Sequence, residues 1–277
     1  MEKELCIVHA NCQGEPLLER LTACPEFHAR YECLLYTNYV HEPVPDYALN
    51  NCSLFLYQHL GDKWGELASD ALLANLPQST RSLCIPNMFF KGYWPTWSNE
   101  PGFDYRCVLL DELIETALPV EEVILLYMHT DVSTRFDLLS LVTETIATER
   151  ERETHTPIKY LDVITKNYRE TQLFHTVNHP GSLLMNHVAT GILEALGFTP
   201  PAPSVFDALP EPFAEFDQPI NPKVAEFFGW DFVETDRLYT IYGRKMNFAR
   251  WVSSYVFARR AGISDFIGFL QGDYIEI

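Results

Sequence analysis

The chain reads as an α/β protein: a small, mostly parallel sheet flanked by helices, followed by a largely α-helical C-terminal half. Three observations predict this. Short apolar runs alternate with stretches of helical periodicity through the first part of the chain, the pattern of strand–helix–strand units. After Pro157, apolar positions recur mainly at helical spacing and strand-like runs become scarce. The composition, 47% hydrophobic and 21% charged over 277 residues, is ordinary for a globular protein and is enough for a large apolar core.

The elements follow in order. Residues 5–10 form a short apolar run expected as a buried strand. The polar turn Asn11-Cys12-Gln13-Gly14 comes next, and a helical pattern covers 15–23 with Pro16 in its first turn, a position that favours proline. Further apolar runs at 53–57, 82–85 and 123–128 predict a second, third and fourth strand. Residues 63–76, 110–117 and 133–152 read as the intervening helices. Residues 181–196 carry Leu183, Leu184, His187, Val188, Ile192, Leu193 and Leu196 on one broad helical face, and Gly197 supplies the stop. Residues 199–222 hold seven prolines and cannot be regular helix. They read as an ordered, extended covering or a linker, and Phe206, Phe213 and Phe216 favour the covering. The tail from 222 looks helical and carries a basic, aromatic-rich stretch between Arg244 and Arg260. The expected organisation is therefore an α/β catalytic core at 1–198, a Pro-rich covering segment at 199–221 and a helical region at 222–277, forming one structural unit.

Twenty Lys and Arg against thirty-eight Asp and Glu give a net charge of −18. Such a surface repels phosphate backbones and anionic membranes, so nucleic-acid binding is not expected. An anionic small molecule could bind only where cations or helix N-termini cluster. The seven cysteines are odd in number, lack any C-x-x-C pair and show no regular spacing, which argues against a disulfide framework. The first apolar run is too short for a signal-peptide core, and no span is apolar enough to cross a membrane. A reduced, cytoplasmic protein is expected.

Chemistry concentrates at two places. Cys12 sits in a turn between a strand and a helix, where the dipole and free N–H groups favour thiolate over thiol. It is either a nucleophile whose oxyanion is held by the amides around Asn11, Cys12 and Gln13, or a small cysteine that fits the turn. The second place is Phe174-His175-Thr176-Val177-Asn178-His179-Pro180-Gly181, just before the 181–196 helix. His175 and His179 are four apart, but a residue preceding proline avoids the α conformation, and no carboxylate ligand pattern accompanies them, so no metal site is expected. At the helix mouth His179 is either a base kept neutral by the dipole or a ring that caps the helix. Cys12 and His179 form a candidate dyad. Gln58, just past the second run, either donates its amide to an oxyanion or makes a loop hydrogen bond. The segment 87–97 joins Lys91 to Tyr93, Trp94 and other aromatics: it can meet a phosphate and stack on a ring, or pack down over a core.

The order of a nucleophile after the first strand and a His-Pro block late in the chain resembles the SGNH (GDSL-type) hydrolases, with Cys12 where their Ser would stand and Thr176 where their Asp is expected. That departure leaves the ring of His179 without its usual orienting acid; His175, Asn178 or an acid from elsewhere could serve. A resemblance covering most of the chain is carried by Asn11-Cys12-Gln13, Tyr57-Gln58-His59, residues 85–95 and the Asn178-His179-Pro180-Gly181 block. These motifs are similar to those of the WcbI-type capsular polysaccharide biosynthesis proteins, a family regarded as acetyltransferases and associated with coenzyme A. The resemblance implies an acetyl-CoA-dependent O-acetyltransferase acting on a saccharide hydroxyl. Cys12, His179 and Gln58 would be catalytic, Asn11 and Gln13 would belong to the oxyanion turn, and Lys91, Tyr93 and Trp94 would contact the coenzyme. Transfer through a thioester at Cys12 and direct transfer assisted by His179 both fit. So do a Cys-dependent esterase or deacetylase on the same scaffold and a non-catalytic sugar- or nucleotide-binding protein.

Overall fold

The computed structural model describes residues 2–272. The chain runs β1 (Glu4–Ala10), α1 (Gly14–Thr22), α2 (Pro25–Arg30), β2 (Tyr31–Thr37), α3 (Asp46–Asn50), β3 (Cys52–Gln58), α4 (Ser69–Ala74) and β4 (Arg81–Ile85). It continues through β5 (Trp97–Ser98), β6 (Arg106–Cys107), α5 (Val108–Ile114), α6 (Val120–His129), α7 (Leu138–Glu153), α8 (Leu161–Asn167), β7 (Phe174–Thr176), β8 (His179–Pro180) and α9 (Ser182–Leu196). The last elements are α10 (Pro203–Asp207), α11 (Pro222–Phe228), β9 (Tyr239–Ile241), β10 (Arg244–Met246), α12 (Phe248–Arg260) and α13 (Phe266–Gln271).

The chain divides into two compact units. The first comprises the chain up to Phe89, Ile146–Asn167 and Asn178–Pro212; the second comprises Phe90–Thr145, Tyr168–Val177 and the chain from Phe213. The first unit holds a four-stranded, all-parallel sheet in the order β2-β1-β3-β4. β1 is central, and Ile7 and Phe55 pack with Val44, Ala48, Leu49 and Leu72 into a buried apolar cluster on one face. α1 starts very close to the sheet: a Cβ on Gly14 would lie 2.6 Å from the end of the Leu35 side chain and 3.1 Å from the Ala10 Cβ, so any larger residue there must displace Leu35 and press on Ala10. Arg20 of α1 is completely buried, and it donates to Asn186 Oδ1 at 2.8 Å, Ser182 Oγ at 3.2 Å and the carbonyls of Pro16 and Pro210. It thereby fixes the first turn of α9 against α1.

The strand order has a functional consequence. From β1 the chain turns to β2 on one side, whereas β3 lies on the other, so the β1–β3 border is a topological switch point. In open α/β sheets the crevice at the C-terminal ends of such strands is where ligands bind.

The second unit contains α5, α6, α11, α12, α13 and the β5–β6 and β9–β10 hairpins. Its core is aromatic: Phe266 stacks on Phe103 with centroids 4.7 Å apart and meets Trp251 at 5.1 Å. The basic stretch in the tail is largely used internally, since Arg259 donates to Asp111 Oδ1 at 3.1 Å and Arg260 to the carbonyls of Thr116 and Leu118.

The α/β class and the positions of β1, β3, β4 and α9 follow the sequence pattern; three local expectations do not. Residues 123–128 are the body of α6, not a strand. Pro119 precedes its first turn, Glu121 and Glu122 favour the N-terminus, and Val123 and Tyr127, four apart, are buried while Leu125 and Leu126 are exposed. β2 was not expected, because its side chains past Tyr31 are only partly buried and show no clean alternation. The tail is not uniformly helical: Tyr242 and Gly243, both with positive φ, turn the β9–β10 hairpin. The expectation for 273–277 lies outside the described residues. Within the Pro-rich segment, a single short helix, α10, forms, and Phe206 and Phe216 are buried.

Candidate active site

The turn 11–14 leaves β1 at the switch point. The Asn11 N–H donates to Gln58 Oε1 at 2.8 Å, spanning the border between β1 and β3. Asn11 Oδ1 accepts the Gln13 N–H at 2.9 Å, and the Asn11 carbonyl accepts the Gly14 N–H at 2.9 Å, closing a tight turn that leads into α1. Asn11 Nδ2 reaches Asn87 Oδ1, beyond β4, at 3.1 Å. Cys12 is left at the apex, partly exposed.

Gln13 organises the surroundings. Its side chain is buried, its Nε2 donates to the carbonyls of Met88 at 2.7 Å and Asn178 at 3.0 Å, and its Oε1 accepts the Met88 N–H at 3.1 Å. One carboxamide thus ties together the loop after β4 and the segment before α9. Asn178 in turn donates from Nδ2 to Cys12 Sγ at 3.5 Å, and the partly exposed His179 follows it directly. The Ser182 N–H at the start of α9 donates to Glu211 Oε1 at 3.0 Å.

Asn11, Cys12, Gln13, Gln58, Asn178 and His179 therefore all belong to the first unit, and hydrogen bonds link the turn to Gln58 and to Asn178. The bonding also corrects their expected parts. Gln58 is buried, its Oε1 taken by Asn11 and its Nε2 directed to the Pro86 carbonyl at 3.0 Å, so it clamps the turn instead of presenting a donor to an oxyanion. The Gln13 N–H is spent on Asn11 Oδ1, and the Gly14 N–H is spent as well. Asn178 Nδ2 is the donor the geometry brings to the sulfur. His175, weighed as a partner for the His179 ring, lies in the second unit with Nδ1 3.4 Å from Asp217 Oδ1.

Lys91, Tyr93 and Trp94 also fall in the second unit. Tyr93 is completely buried, with its hydroxyl 3.0 Å from the Tyr168 carbonyl and 2.9 Å from that of Thr171. Trp94 is buried too, and its Nε1 donates to the Pro219 carbonyl at 3.1 Å. The polar atoms of these two are consumed inside a core, as the packing alternative has it. Lys91 is partly exposed.

Two features were not singled out from sequence. Tyr39, after β2, has its hydroxyl pushed up first by partial burial and then by the nearby Cys12 sulfur, which puts a phenol beside the turn. A cleft of about 440 Å³ opens past the ends of β3 and β4, lined among others by His59, Lys63, Trp64, Asn87, Arg152 and His155. Asn87 joins it to the Cys12 turn. None of the seven cysteines is in a disulfide, and among the described residues no group of three His, Cys, Asp or Glu could hold a metal. No helix among them is long and apolar enough to cross a membrane.

An α/β protein with a cysteine at the apex of its first strand-to-helix turn, set at a sheet switch point, holds that side chain where open α/β sheets bind ligands. The chain belongs to the WcbI family of polysaccharide biosynthesis enzymes, whose model matches residues 5–201. A solved structure of WcbI, described as a novel polysaccharide biosynthesis enzyme in its native form without a disulfide bond between coenzyme A and one of its cysteines, shares the fold. The TM-score is 0.76 at 21% identity over 99% of this chain and 96% of that one. Among curated proteins none matches the sequence.

Proposed function

We propose that the chain is an acetyl-CoA-dependent O-acetyltransferase that modifies a saccharide hydroxyl of a capsular or surface polysaccharide. The observation that carries this reading is the hydrogen bond from Asn178 to Cys12, which sets the sulfur beside the segment containing His179. Family membership supports the pathway, and the pairing of coenzyme A with a cysteine in the description of the related structure supports the donor.

In this mechanism His179 takes the Cys12 thiol proton and the thiolate attacks the acetyl carbonyl of acetyl-CoA. A C–S bond to Cys12 forms as the bond to the coenzyme sulfur breaks, and His179 passes the proton to the departing thiolate. The sugar hydroxyl then attacks the Cys12 thioester, His179 accepts its proton, and Cys12 leaves and is reprotonated. Asn178 Nδ2 stabilises negative charge, on the sulfur once the proton has left it and on the carbonyl oxygen as it develops. Gln13, Gln58 and Asn11 are positioning residues.

Incubation with acetyl-CoA in the absence of acceptor, followed by intact-mass and peptide analysis, tests this. One acetyl group on Cys12, absent from Cys12→Ala, is expected. No calorimetric binding of CoA at millimolar concentration overturns the donor, and acetyl transfer that survives in Cys12→Ala overturns the covalent step. Release of free acetate without any acceptor would favour the esterase.

A further inference from the structure

The cleft beyond β3 and β4 contains a pair the mechanism does not use. The rings of His59 and His155 are stacked with centroids 3.7 Å apart and planes 11° from parallel. His59 follows β3 directly, and His155 comes two residues after α7. The same cleft is lined by Lys63 and Arg152, with Glu151 as the opposing carboxylate. In a chain of net charge −18, the lining of this cleft carries two permanent cations, two imidazoles and one acid, with Asp62, Asp70 and Glu149 close behind it. Trp64 lies in the same wall, with the His41 ring stacked on one of its faces at 4.8 Å.

We propose that this cleft is the site for a phosphate- or diphosphate-bearing ligand, and that His59, stacked on the His155 ring, takes up a proton when that ligand enters. Two imidazoles at van der Waals separation tolerate one positive charge between them but not two. The His59 imidazole is pushed below the ordinary histidine range, first by partial burial and next by His155, while Asp70 and Asp62 pull the other way. Lys63 and Arg152 line the same cleft. Arg152 is held in place by Glu149, at 3.4 Å from Oε1, and by the Phe89 ring beneath its guanidinium. A phosphate dianion reverses this balance: it screens the two cations and pairs with the charged form of one ring, so binding and proton uptake are linked.

The inference deepens the transferase reading, because both the coenzyme donor and a nucleotide-linked sugar acceptor carry phosphate, but its test involves no acyl transfer. Histidine side-chain NMR across about pH 6 to 8, with and without inorganic pyrophosphate, reads it on the wild-type chain. Saturation is expected to raise the midpoint of the His59 signal. By calorimetry, affinity is expected to fall as pH rises more steeply for the wild type than for His59→Gln, in which only the ligand's own protons remain. Lys63→Met is expected to weaken binding about fivefold at every pH. Competition by CoA or by a nucleoside-diphosphate sugar identifies which phosphate source occupies the cleft. An unmoved His59 signal at millimolar pyrophosphate, or equal pH slopes for wild type and His59→Gln, overturns the proposal. Cys12→Ala should bind pyrophosphate normally, so failure of the acyl-transfer reading and failure of this one are separable.

Discussion

Asn178 Nδ2 donates to Cys12 Sγ at 3.5 Å, although 166 residues separate the two in sequence. The backbone carbonyl of the same Asn178 accepts from Gln13, the residue after Cys12. Two consecutive residues of the turn thus hold one residue of the distant segment, by side chain and by main chain. That double attachment positions the donor on the sulfur.

Removing the donor should be felt at the sulfur. A hydrogen bond to a thiolate lowers the free energy of the charged form, by about 1 kcal/mol for a partly exposed pair. Asn178→Ala is therefore expected to slow iodoacetamide labelling of Cys12 about fivefold near neutral pH, with the fold intact by circular dichroism. Equal labelling rates in the variant and the parent would show that the contact does not activate the thiol.

Gln13 bears on stability as well as on the site. Its buried carboxamide satisfies the Met88 carbonyl, the Met88 N–H and the Asn178 carbonyl at 2.7, 3.1 and 3.0 Å. Gln13→Leu preserves bulk but strands those three groups, and a loss of about 2–4 kcal/mol is expected in urea denaturation. Cys12 labelling should fall in the same variant because Asn178 is no longer tethered. A stability change below about 1 kcal/mol would mean that water replaces the carboxamide without cost.

Arg20 makes the companion prediction for α9. Its guanidinium, without solvent exposure, reaches Asn186, Ser182 and two carbonyls in different directions. Burial is the first influence on it and pulls its proton affinity down, with Glu19 and Glu211 opposing. Arg20→Leu should cost about 3 kcal/mol or more. Arg20→Lys should recover little of it, because an ammonium cannot address that fork of acceptors. Thermal unfolding of the two variants reads this directly, and a lysine variant as stable as the parent would remove the argument from geometry.

How much of this was legible in the sequence depended on how local the cause was. β1, the turn and α1 could be read because an apolar run, Asn11 to Gly14 and Pro16 lie within a dozen residues and each has its own conformational preference. Residues 123–128 misled because a continuous apolar run does not distinguish strand from helix; the decisive facts, an exposed Leu125 and Leu126 against a buried Val123 and Tyr127, are tertiary. The part played by Gln58 was not legible, since which group its carboxamide faces follows from the order β2-β1-β3-β4. Tyr93 and Trp94 looked like a binding surface because composition cannot say whether an aromatic loop faces a ligand or a core. His59 stands in the Tyr57-Gln58-His59 motif, but its stacking on His155 had no sequence signal, as the two rings follow separate elements.

The last prediction concerns pH, where two buried groups act in opposite senses. His9 is 1% exposed, and burial lowers its imidazole to about 4, so it stays neutral in the folded chain where the unfolded chain already binds a proton. Stability therefore falls as pH drops from the ordinary histidine range toward that value. Glu149 is fully buried; burial raises its carboxyl to about 7 against the opposing influence of Arg152, the Phe89 N–H and the Tyr160 hydroxyl. Between the ordinary carboxylate range and that value the folded chain holds a proton the unfolded chain has lost, so stability falls as pH rises. Each group accounts for roughly 3 kcal/mol across its window, and over the shared range the two slopes nearly cancel in the wild type. Single substitutions should uncover them: Glu149→Gln should leave stability rising from about pH 4.5 to 6.5, and His9→Gln should leave it falling over the same interval. Urea midpoints measured at a series of pH values test both, and a slope parallel to that of the wild type in either variant would show that the corresponding buried group does not set the pH response.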